Sequence, residues 1–443
     1  MGTLSQKFFC DSKKKMKKSV ITCDLEGIIL TMNNGAEDIF GYKKDELIGK
    51  KRVSLFSPGE IVLQNVENWL KKSVDEGRYE GLTVFLNKQG KRINAKIIIT
   101  PLYKDGMENP HTGYCGITEL IDEEVVPKIN FTTKIIKWLA ITRMPFTSAS
   151  ILPILCIASY FSYIGDHLFN PLALVYTIFG VIFAHISINI FNDYFDYIDG
   201  TDENNYEYFQ QVSGGSRSIE LGLISLRKTK LYAIIMLIVS FVFVALVLSQ
   251  SNINNIYGIF TVSFLGLILG YFYTARPLRL VSRRGLGELS IFLTFGPLLT
   301  IGVGFAIFDG DFWVSEYFLD CLLMGITLGL LTTNILLINQ FPDMNGDIKT
   351  GKNNLVVTFG KKNSRWIYAI ILLLSFISSF YFCYILENYL LLIPSLIILF
   401  NGSYILKILF QNYDNRKLVK ANWHTIYLHA LYGIFTLIVF YFS

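Results

Sequence analysis

The chain has 443 residues, of which 52% are hydrophobic and only 17% are charged, and its formal net charge is +5. So apolar a composition excludes an ordinary soluble protein of this length and indicates an integral membrane protein. The small positive excess lies mostly in loops beside apolar stretches, which suits anionic lipid or a diphosphate substrate and argues against nucleic-acid binding.

The apolar excess is uneven and divides the chain. Residues up to about Val126 are mixed and charged, whereas Ile, Leu, Phe and Tyr dominate the sequence after Trp138. No apolar stretch follows the Lys-rich start, so a cleaved signal peptide is not predicted. The predicted parts are a basic tail (1–19), a small α+β domain (20–122), a linker with an amphipathic interfacial helix (123–141) and an all-α membrane domain (142–443).

The N-terminal domain shows strand and helix patterns in alternation. Leu82–Leu86 and Arg92–Leu102 flank the turn sequence Asn87-Lys88-Gln89-Gly90, which predicts a β-hairpin. Polar and apolar residues alternate in the second of these strands, as in a sheet with one solvated face. Two further strands and two helices are predicted at Ile21–Cys23, Ile28–Met32, Ala36–Phe40 and Val66–Asp75.

Apolar stretches of about 20 residues, long enough to cross a bilayer, recur nine times in the membrane domain. Connectors rich in Lys and Arg alternate with connectors that have none. By the positive-inside rule, the N-terminal domain lies in the cytoplasm and the C-terminus outside, in a multi-pass protein of the cell membrane. The predicted spans are Phe146–Ile164, Leu172–Phe191, Leu231–Ser249, Ile256–Tyr273, Leu289–Phe308, Tyr317–Ile338, Trp366–Leu386, Tyr389–Phe410 and Thr425–Phe442.

Two aspartate-rich clusters follow the second and sixth predicted spans. Asp193 and Asp196 are three residues apart, and Asp343 and Asp347 are four apart, so each pair shares one face of a helix. Carboxylates at a membrane edge need a compensating charge, and Mg²⁺ binds one or two carboxylates together with phosphate oxygens. Because there are two clusters on the same predicted side, we favour a metal site over the alternative of helix capping or contact with water.

An acidic, Mg²⁺-loaded mouth above an aromatic-rich apolar bundle suits a substrate with a polyanionic head and a hydrocarbon tail. An isoprenoid diphosphate has this form. Metal ions and cationic side chains would stabilise the diphosphate as a leaving group. Tyr and Phe rings, abundant in a chain with 15% aromatic residues, would stabilise an allylic cation and shield it from water.

From about Trp138 to its end, the chain resembles the UbiA superfamily of membrane prenyltransferases, and its first acidic motif is similar to that of the MenA branch, the 1,4-dihydroxy-2-naphthoate prenyltransferases. The resemblance implies a nine-helix fold and Mg²⁺-dependent transfer of a polyprenyl group from an isoprenoid diphosphate to an aromatic quinone precursor, as in menaquinone-type biosynthesis. Besides the acidic motifs and spans, it rests on Ser213–Arg217, Tyr271–Pro277, Gly285–Glu288 and Gly351–Val357.

The resemblance also implies roles for individual residues. The carboxylates at the centre of catalysis would be Asp193, Asp196, Asp343 and Asp347, joined by Asp202 in binding Mg²⁺. Asn192 and Asp202 would bind the diphosphate. Arg217 and Lys352 are further candidates for diphosphate contacts because each lies in a Gly-containing loop beside a cluster, with ordinary positive-inside charge as the alternative.

Two neighbouring residues are left out of the predicted site. Asp199 departs from the family spacing and is expected to be solvated. Arg143 is followed by Met144-Pro145 where Arg-Pro is the family pattern, so it is not expected to contact substrate.

The N-terminal domain resembles a PAS domain, on the segments Asp24–Gly27, Asn33–Tyr42 and Asp45–Gly49. PAS domains sense ligands, redox state or light, or they dimerise. His111 is the only histidine of the domain and lies in a loop beside a proline, which matches no haem or flavin pattern. We therefore expect a dimerisation or ligand-free role, with a homodimer formed through this domain.

Two other interpretations stay open. Another UbiA branch would use a hydroxybenzoate, a glycerophosphate lipid or a different acceptor. A PAS-controlled membrane sensor or transporter is less favoured, because no kinase or cyclase motif follows and because the spans carry almost no charge outside the clusters that would form an ion path.

Overall fold

The structure is a computed structural model that describes residues 18–25, 27–57, 65–89, 91–104, 108–125, 131–165, 169–201, 213, 215–219 and 223–443. The chain divides into two compact units, Met1–Trp138 and Leu139–Ser443, and each has its own hydrophobic core. The division falls inside the predicted linker.

The first unit contains a five-stranded antiparallel sheet with the strand order β2-β1-β5-β4-β3. The hairpin between β3 and β4 is confirmed, with Val84 opposite Asn94. The elements are β1 (Lys18–Asp24), β2 (Ile29–Met32), α1 (Asn34–Phe40), α2 (Lys44–Leu47), α3 (Asn65–Asp75), β3 (Tyr79–Leu86), β4 (Arg92–Leu102) and β5 (Gly113–Leu120).

Strand β5 was missing from the prediction. Its sequence begins with Gly113 and contains Gly116, and glycine is depleted in strands because it has no side chain to pack. The structure places β5 between β1 and β4, with Ile117 opposite both Val20 and Ile98. This segment is a strand because it pairs with a neighbouring strand on each side. Its local sequence does not indicate those neighbours.

Aromatic rings fill the core of the first unit. Phe40 stacks on Phe56 with 4.0 Å between ring centroids and meets the edge of Phe85 at 5.7 Å. Burial raises the pKa of the Cys23 thiol to about 11, so this cysteine is a neutral packing residue at physiological pH. His111 Nε2 forms a hydrogen bond of 2.9 Å with the Tyr114 hydroxyl.

The second unit is a bundle of long apolar helices. Nine helical segments of the described chain are long and apolar enough to cross a membrane, which confirms the predicted number and a multi-pass membrane protein. The helices, including the connecting α4, are α4 (Phe131–Thr142), α5 (Ser148–Ile164), α6 (Pro171–Ile198), α7 (Leu226–Leu248), α8 (Ile256–Thr274), α9 (Leu286–Phe295), α10 (Pro297–Ile307), α11 (Tyr317–Lys349), α12 (Leu355–Ile385), α13 (Leu392–Asn412) and α14 (Val419–Phe442).

Helices α6 and α11 extend beyond their apolar stretches. The predicted spans ended at Phe191 and Ile338, but α6 continues to Ile198 and α11 to Lys349. Both acidic clusters therefore lie on helical backbone, as the spacing of their aspartates requires. In each helix the carboxylates therefore lie on the polar turns that follow the apolar stretch.

The fifth span is broken at Gly296, between α9 and α10. Pro297 begins α10 and has no N–H group to continue the hydrogen bonding of α9. A Cβ atom on Gly296 would lie 2.5 Å from the carbonyl oxygen of Gly325 in α11. The missing side chain allows the broken span to pack closely against the helix that carries the second cluster.

Candidate active site

The first acidic motif lies on the last two turns of α6. Asp193 is 4% exposed and accepts hydrogen bonds from the backbone N–H of Ser216, at 3.2 Å, and from its hydroxyl. Gly215 approaches so closely that a Cβ atom there would lie 3.2 Å from Asp193 Oδ1. The loop after α6 therefore folds back over the motif and holds this carboxylate.

The second motif lies on the last turns of α11. Asp343 accepts a hydrogen bond of 2.9 Å from the Ser213 hydroxyl, so the loop after α6 contacts both motifs. Asp347 accepts a hydrogen bond of 2.7 Å from the side-chain amide of Asn354. The carbonyl oxygen of the same amide caps α12 by accepting from Val357 N–H.

Lys352 joins the two motifs. Its ammonium lies 2.8 Å from Asp196 Oδ1 of the first motif, and its backbone N–H donates to the Asp347 carbonyl of the second at 2.9 Å. The side chain is 9% exposed, so its charge is screened little by solvent. One buried cation therefore sits between carboxylates that come from helices far apart in the sequence.

These groups surround a polar chamber of about 290 Å³. The structure brings five of the predicted site residues into its wall. They are Asn192, Asp196, Asp343, Asp347 and Lys352.

Two other predicted residues lie elsewhere, and a third is not described. Asp193 is held behind the loop by Ser216. Arg217 is 5% exposed and is not among the described residues of the chamber wall. Asp202 lies outside the residues that the structure describes.

The expectation for Asp199 was wrong. Its carboxylate forms ion pairs with Arg276, at 3.0 Å, and with Arg279, at 2.9 Å, and its side chain is 9% exposed. Arg279 also donates to the carbonyl oxygen of Thr350 at 3.1 Å. A guanidinium from the loop after α8 thus connects the end of the first motif to the end of the second.

Arg143 was also left out of the predicted site, and the structure shows where it lies. Arg143 lies in the chamber wall next to Phe146, with its guanidinium 4.9 Å from the centre of that ring. Its backbone is left-handed, with φ of 50°, where it turns from α4 into the next helix. The prediction rested on the residues that follow Arg143 in the sequence, whereas the left-handed turn of the backbone determines where its side chain lies.

The donor set fits Mg²⁺ in its chemistry. The wall offers carboxylate and amide oxygens without thiols, the hard ligands that this ion prefers, and Mg²⁺ usually keeps several waters and takes only one or two carboxylates. In the described part of the chain, no three His, Cys, Asp or Glu side chains converge as a ready-made metal cluster. The carboxylates of the wall are held by Lys352, Ser213 and Asn354.

An apolar cavity of about 270 Å³ adjoins the chamber. His185, Asn189, Asn192, Tyr273 and Phe295 belong to the walls of both. Along α6 the cavity wall extends from Asn192 back to Thr177, a rise of about 22 Å at 1.5 Å per residue. The polar chamber therefore adjoins an apolar space whose length along α6 is roughly three quarters of the hydrocarbon thickness of a bilayer, about 30 Å.

Several polar residues of the chamber region were missed by the sequence analysis. Asn189, Gln340 and His429 line the chamber, and each is buried with one side-chain nitrogen or oxygen that has no hydrogen-bond partner among the described residues. Leaving such an atom unsatisfied costs about 1–3 kcal/mol, which is common where a ligand completes a site. The only available signal was a polar residue within an apolar span.

Glu288 is a further missed residue, and it fastens the second motif from outside the chamber. Its Oε1 accepts from the Gln340 amide at 2.8 Å and from the backbone N–H of Leu355 at 3.0 Å. It thereby ties α11 to the start of α12, on either side of the loop that carries Lys352.

Comparison with known proteins finds a matching family for each of the two units. Residues 151–435 match the sequence model of the UbiA prenyltransferase family, and residues 17–118 match that of a PAS domain. The chain is 28% identical over 208 residues to the 1,4-dihydroxy-2-naphthoate octaprenyltransferase of Haemophilus influenzae, an alignment that covers 46% of this chain and 63% of that protein. The chain thus spans less than two thirds of that relative's length.

Two further similarities cover more of the proteins concerned. The chain is 26% identical over 366 residues to the chloroplastic 2-carboxy-1,4-naphthoquinone phytyltransferase of Arabidopsis thaliana, which covers 80% of this chain and 87% of that protein. A UbiA homologue from Archaeoglobus fulgidus, solved with DMAPP and Mg²⁺, shares the fold at 18% identity and a TM-score of 0.50, covering 69% of this chain and 100% of that one. Because the family match covers more than half of its length, the chain belongs to the UbiA prenyltransferase family and carries an N-terminal PAS domain.

Proposed function

We propose that the protein transfers a polyprenyl group from an isoprenoid diphosphate to an aromatic quinone precursor of the 1,4-dihydroxy-2-naphthoate type, in a Mg²⁺-dependent reaction. The observation that carries this proposal is the junction of the acidic, Lys352-bridged chamber with the apolar cavity at Asn192 and Tyr273. A diphosphate head and a hydrocarbon tail need these two environments side by side.

The chamber would hold the diphosphate end of the donor. Asp196, Asp343 and Asp347 would hold Mg²⁺ together with the diphosphate oxygens, and Asp193 would support them through the loop at Ser216. When bound, the metal supplies Lewis-acid neutralisation of the departing diphosphate. Lys352, now paired with Asp196, is close enough to the carboxylates to contact the same phosphate oxygens.

The chain would also protect the cation formed when the bond between carbon and diphosphate breaks. Tyr273 and Phe295 lie where the chamber meets the cavity, and aromatic faces attract a cation. The apolar wall beyond them excludes water, which would otherwise capture the allylic cation before the acceptor does.

An aromatic acid is the acceptor that the other described residues of the chamber wall suit best. Arg143 offers a cation for a carboxylate, while Phe146 and Trp423 offer flat apolar surfaces for a ring. Two relatives are named for naphthoate or naphthoquinone substrates, which supports the menaquinone-type acceptor over a hydroxybenzoate or a glycerophosphate lipid.

Purified protein in liposomes tests the proposal directly. It would be incubated with Mg²⁺, a polyprenyl diphosphate and one of three acceptors: 1,4-dihydroxy-2-naphthoate, 4-hydroxybenzoate or a glycerophosphate. We expect a prenylated product with the naphthoate, no product with EDTA, and recovery on adding Mg²⁺. Product with only another acceptor would contradict the naphthoate assignment, and transfer unaffected by EDTA would contradict the metal requirement.

The location of the protein and the arrangement of its chains remain proposals. We propose the cell membrane, the N-terminal domain in the cytoplasm, and a homodimer through the PAS domain. Single cysteines at the half-buried Asn252 and the exposed Arg283 should react with an impermeant reagent only from outside and only from inside, respectively. Labelling of both from one side would contradict the orientation, and a monomeric mass for the detergent-purified protein would contradict the dimer.

A further inference from the structure

Four glycines line the apolar cavity, and we propose that one of them, Gly266, determines how long a prenyl tail the enzyme accepts. The inference rests on the proposed function, because it assigns the cavity to the hydrocarbon tail of the donor. It adds a residue that discriminates among donors by length.

Close packing accounts for the other three glycines. A Cβ atom on Gly302 would lie 2.8 Å from Val262 Cγ1, and one on Gly180 would lie 3.3 Å from Phe243 Cβ. A Cβ atom on Gly270 would overlap Ile188 Cδ1. At each of these three positions a side chain would crowd a side chain of a neighbouring helix, so close packing favours glycine there.

Gly266 has no such explanation. It lies within α8 and in the cavity wall, and a Cβ atom there would meet no atom within 4 Å. Its backbone is not among the left-handed positions of the described chain. Because glycine weakens a helix interior relative to alanine, neither packing nor backbone geometry favours it here. Because Gly266 has no side chain, it leaves open space in the cavity.

The position of Gly266 along the cavity indicates which donors it affects. At the chamber end of α8, the Thr274 hydroxyl donates to Asn192 Oδ1 at 2.7 Å. Gly266 lies eight residues earlier on the helix, about 12 Å further into the apolar region. A tail of one isoprene unit ends before this point, whereas a tail of several units must pass it. A side chain at Gly266 would therefore obstruct long donors and leave short ones unaffected.

The test is a graded series, Gly266→Ala, Gly266→Val and Gly266→Leu, in full-length protein in liposomes. The kcat/KM value would be measured with dimethylallyl, geranyl, geranylgeranyl and octaprenyl diphosphate. For Gly266→Leu we expect the dimethylallyl value to stay within about threefold of wild type and the octaprenyl value to fall roughly tenfold or more, the discrimination that a filled apolar pocket achieves. The effect should grow with side-chain volume, so the Ala and Val variants still decide the matter if the Leu variant does not insert.

Leu265→Phe is the matched control. Leu265 is on the same helix, is 41% exposed and is not part of the described cavity wall, so added bulk there should leave the ratio of long-donor to short-donor activity unchanged. An equal change of this ratio in the control would overturn the assignment to Gly266. A wild-type donor profile throughout the Gly266 series would overturn it as well.

A binding measurement separates this inference from the proposed function. The affinity of uncleavable prenyl thiodiphosphates of the same lengths would be measured by calorimetry, without turnover. If the wild-type protein transfers no prenyl group, the proposed function fails; a length-dependent loss of affinity in Gly266→Leu would still support the role of Gly266. Equal affinities of wild type and Gly266→Leu for every length would overturn that role even if transfer occurs.

Discussion

Helices α6 and α8 line both the chamber and the apolar cavity, but the polar side chains of the two regions have different kinds of partner. In the chamber, charged and amide groups from separate segments of the chain face one another, as Lys352 and Asp196 do. In the cavity wall, hydroxyl groups turn back to helix carbonyls: Thr177 donates to Ala173 at 2.8 Å, and Ser240 donates to Gly180 at 2.8 Å. The chamber can therefore bind a ligand through charged groups, whereas the cavity can discriminate between ligands only by their shape.

The largest effects are expected from the chamber carboxylates. Changing Asp343 or Asp347 to Asn removes a charge that would hold Mg²⁺ and should lower kcat by two or more orders of magnitude, on the order of 3 kcal/mol. Single-turnover assays at saturating donor would measure this. Asp320→Asn is the control, since Asp320 lies on the same helix but bonds the Tyr160 hydroxyl; it should alter thermal stability more than kcat. Near-normal turnover in both chamber variants would refute a site based on charge.

Lys352→Met should have the next largest effect. It leaves the half-buried Asp196 without its cation and removes a contact to the diphosphate, so kcat/KM for the donor should fall roughly 30-fold or more, the lower end of the range for breaking a buried charge pair. Lys362→Met, at an exposed position on α12, is the control and should match wild type. If the two variants behave alike, Lys352 contributes only general positive charge beside the membrane.

A smaller effect is expected from the contact between the ends of the motifs. Arg279→Met breaks the link from Asp199 to Thr350 and should lower kcat/KM roughly three- to tenfold, because the carboxylates lose alignment but not charge. The side chain of Arg279 is 13% exposed and that of Arg276 is 75% exposed, so Arg276→Met should change activity little, as surface ion pairs contribute 0–1 kcal/mol. A larger loss in the Arg276 variant would contradict the alignment role.

Removal of the PAS domain should have the smallest effect on either region. Every described wall residue of the chamber and the cavity lies after Ile141, so a chain starting at Asn130 should insert and retain transfer within about threefold. Transfer by full-length and shortened protein in matched liposomes would measure this. A folded, inserted but inactive short chain would mean that the PAS domain helps to build the site.

The part of the site that could be predicted consists of residues whose role follows from local spacing. Asp343 and Asp347 needed only helical backbone to share a face, and α11 supplies it. Asp199 was misjudged because its partner comes from another segment, since Arg279 lies beyond α8. The place of Arg143 in the chamber wall depends on a left-handed turn and was not predicted either. Pairings over such sequence distances leave no local pattern.

Composition and periodicity by themselves determined the division into a mixed domain and a membrane domain, the nine spans and the two acidic clusters. These properties follow from the free energy of transferring side chains to lipid and from helix geometry, both of which act residue by residue. Only the tertiary structure decided that β5 is an inner strand, that Lys352 and Asn354 hold the carboxylates, and that Gly266 faces open space. Each of these depends on which distant segment becomes a neighbour, and that is set by the packing of the whole bundle or sheet.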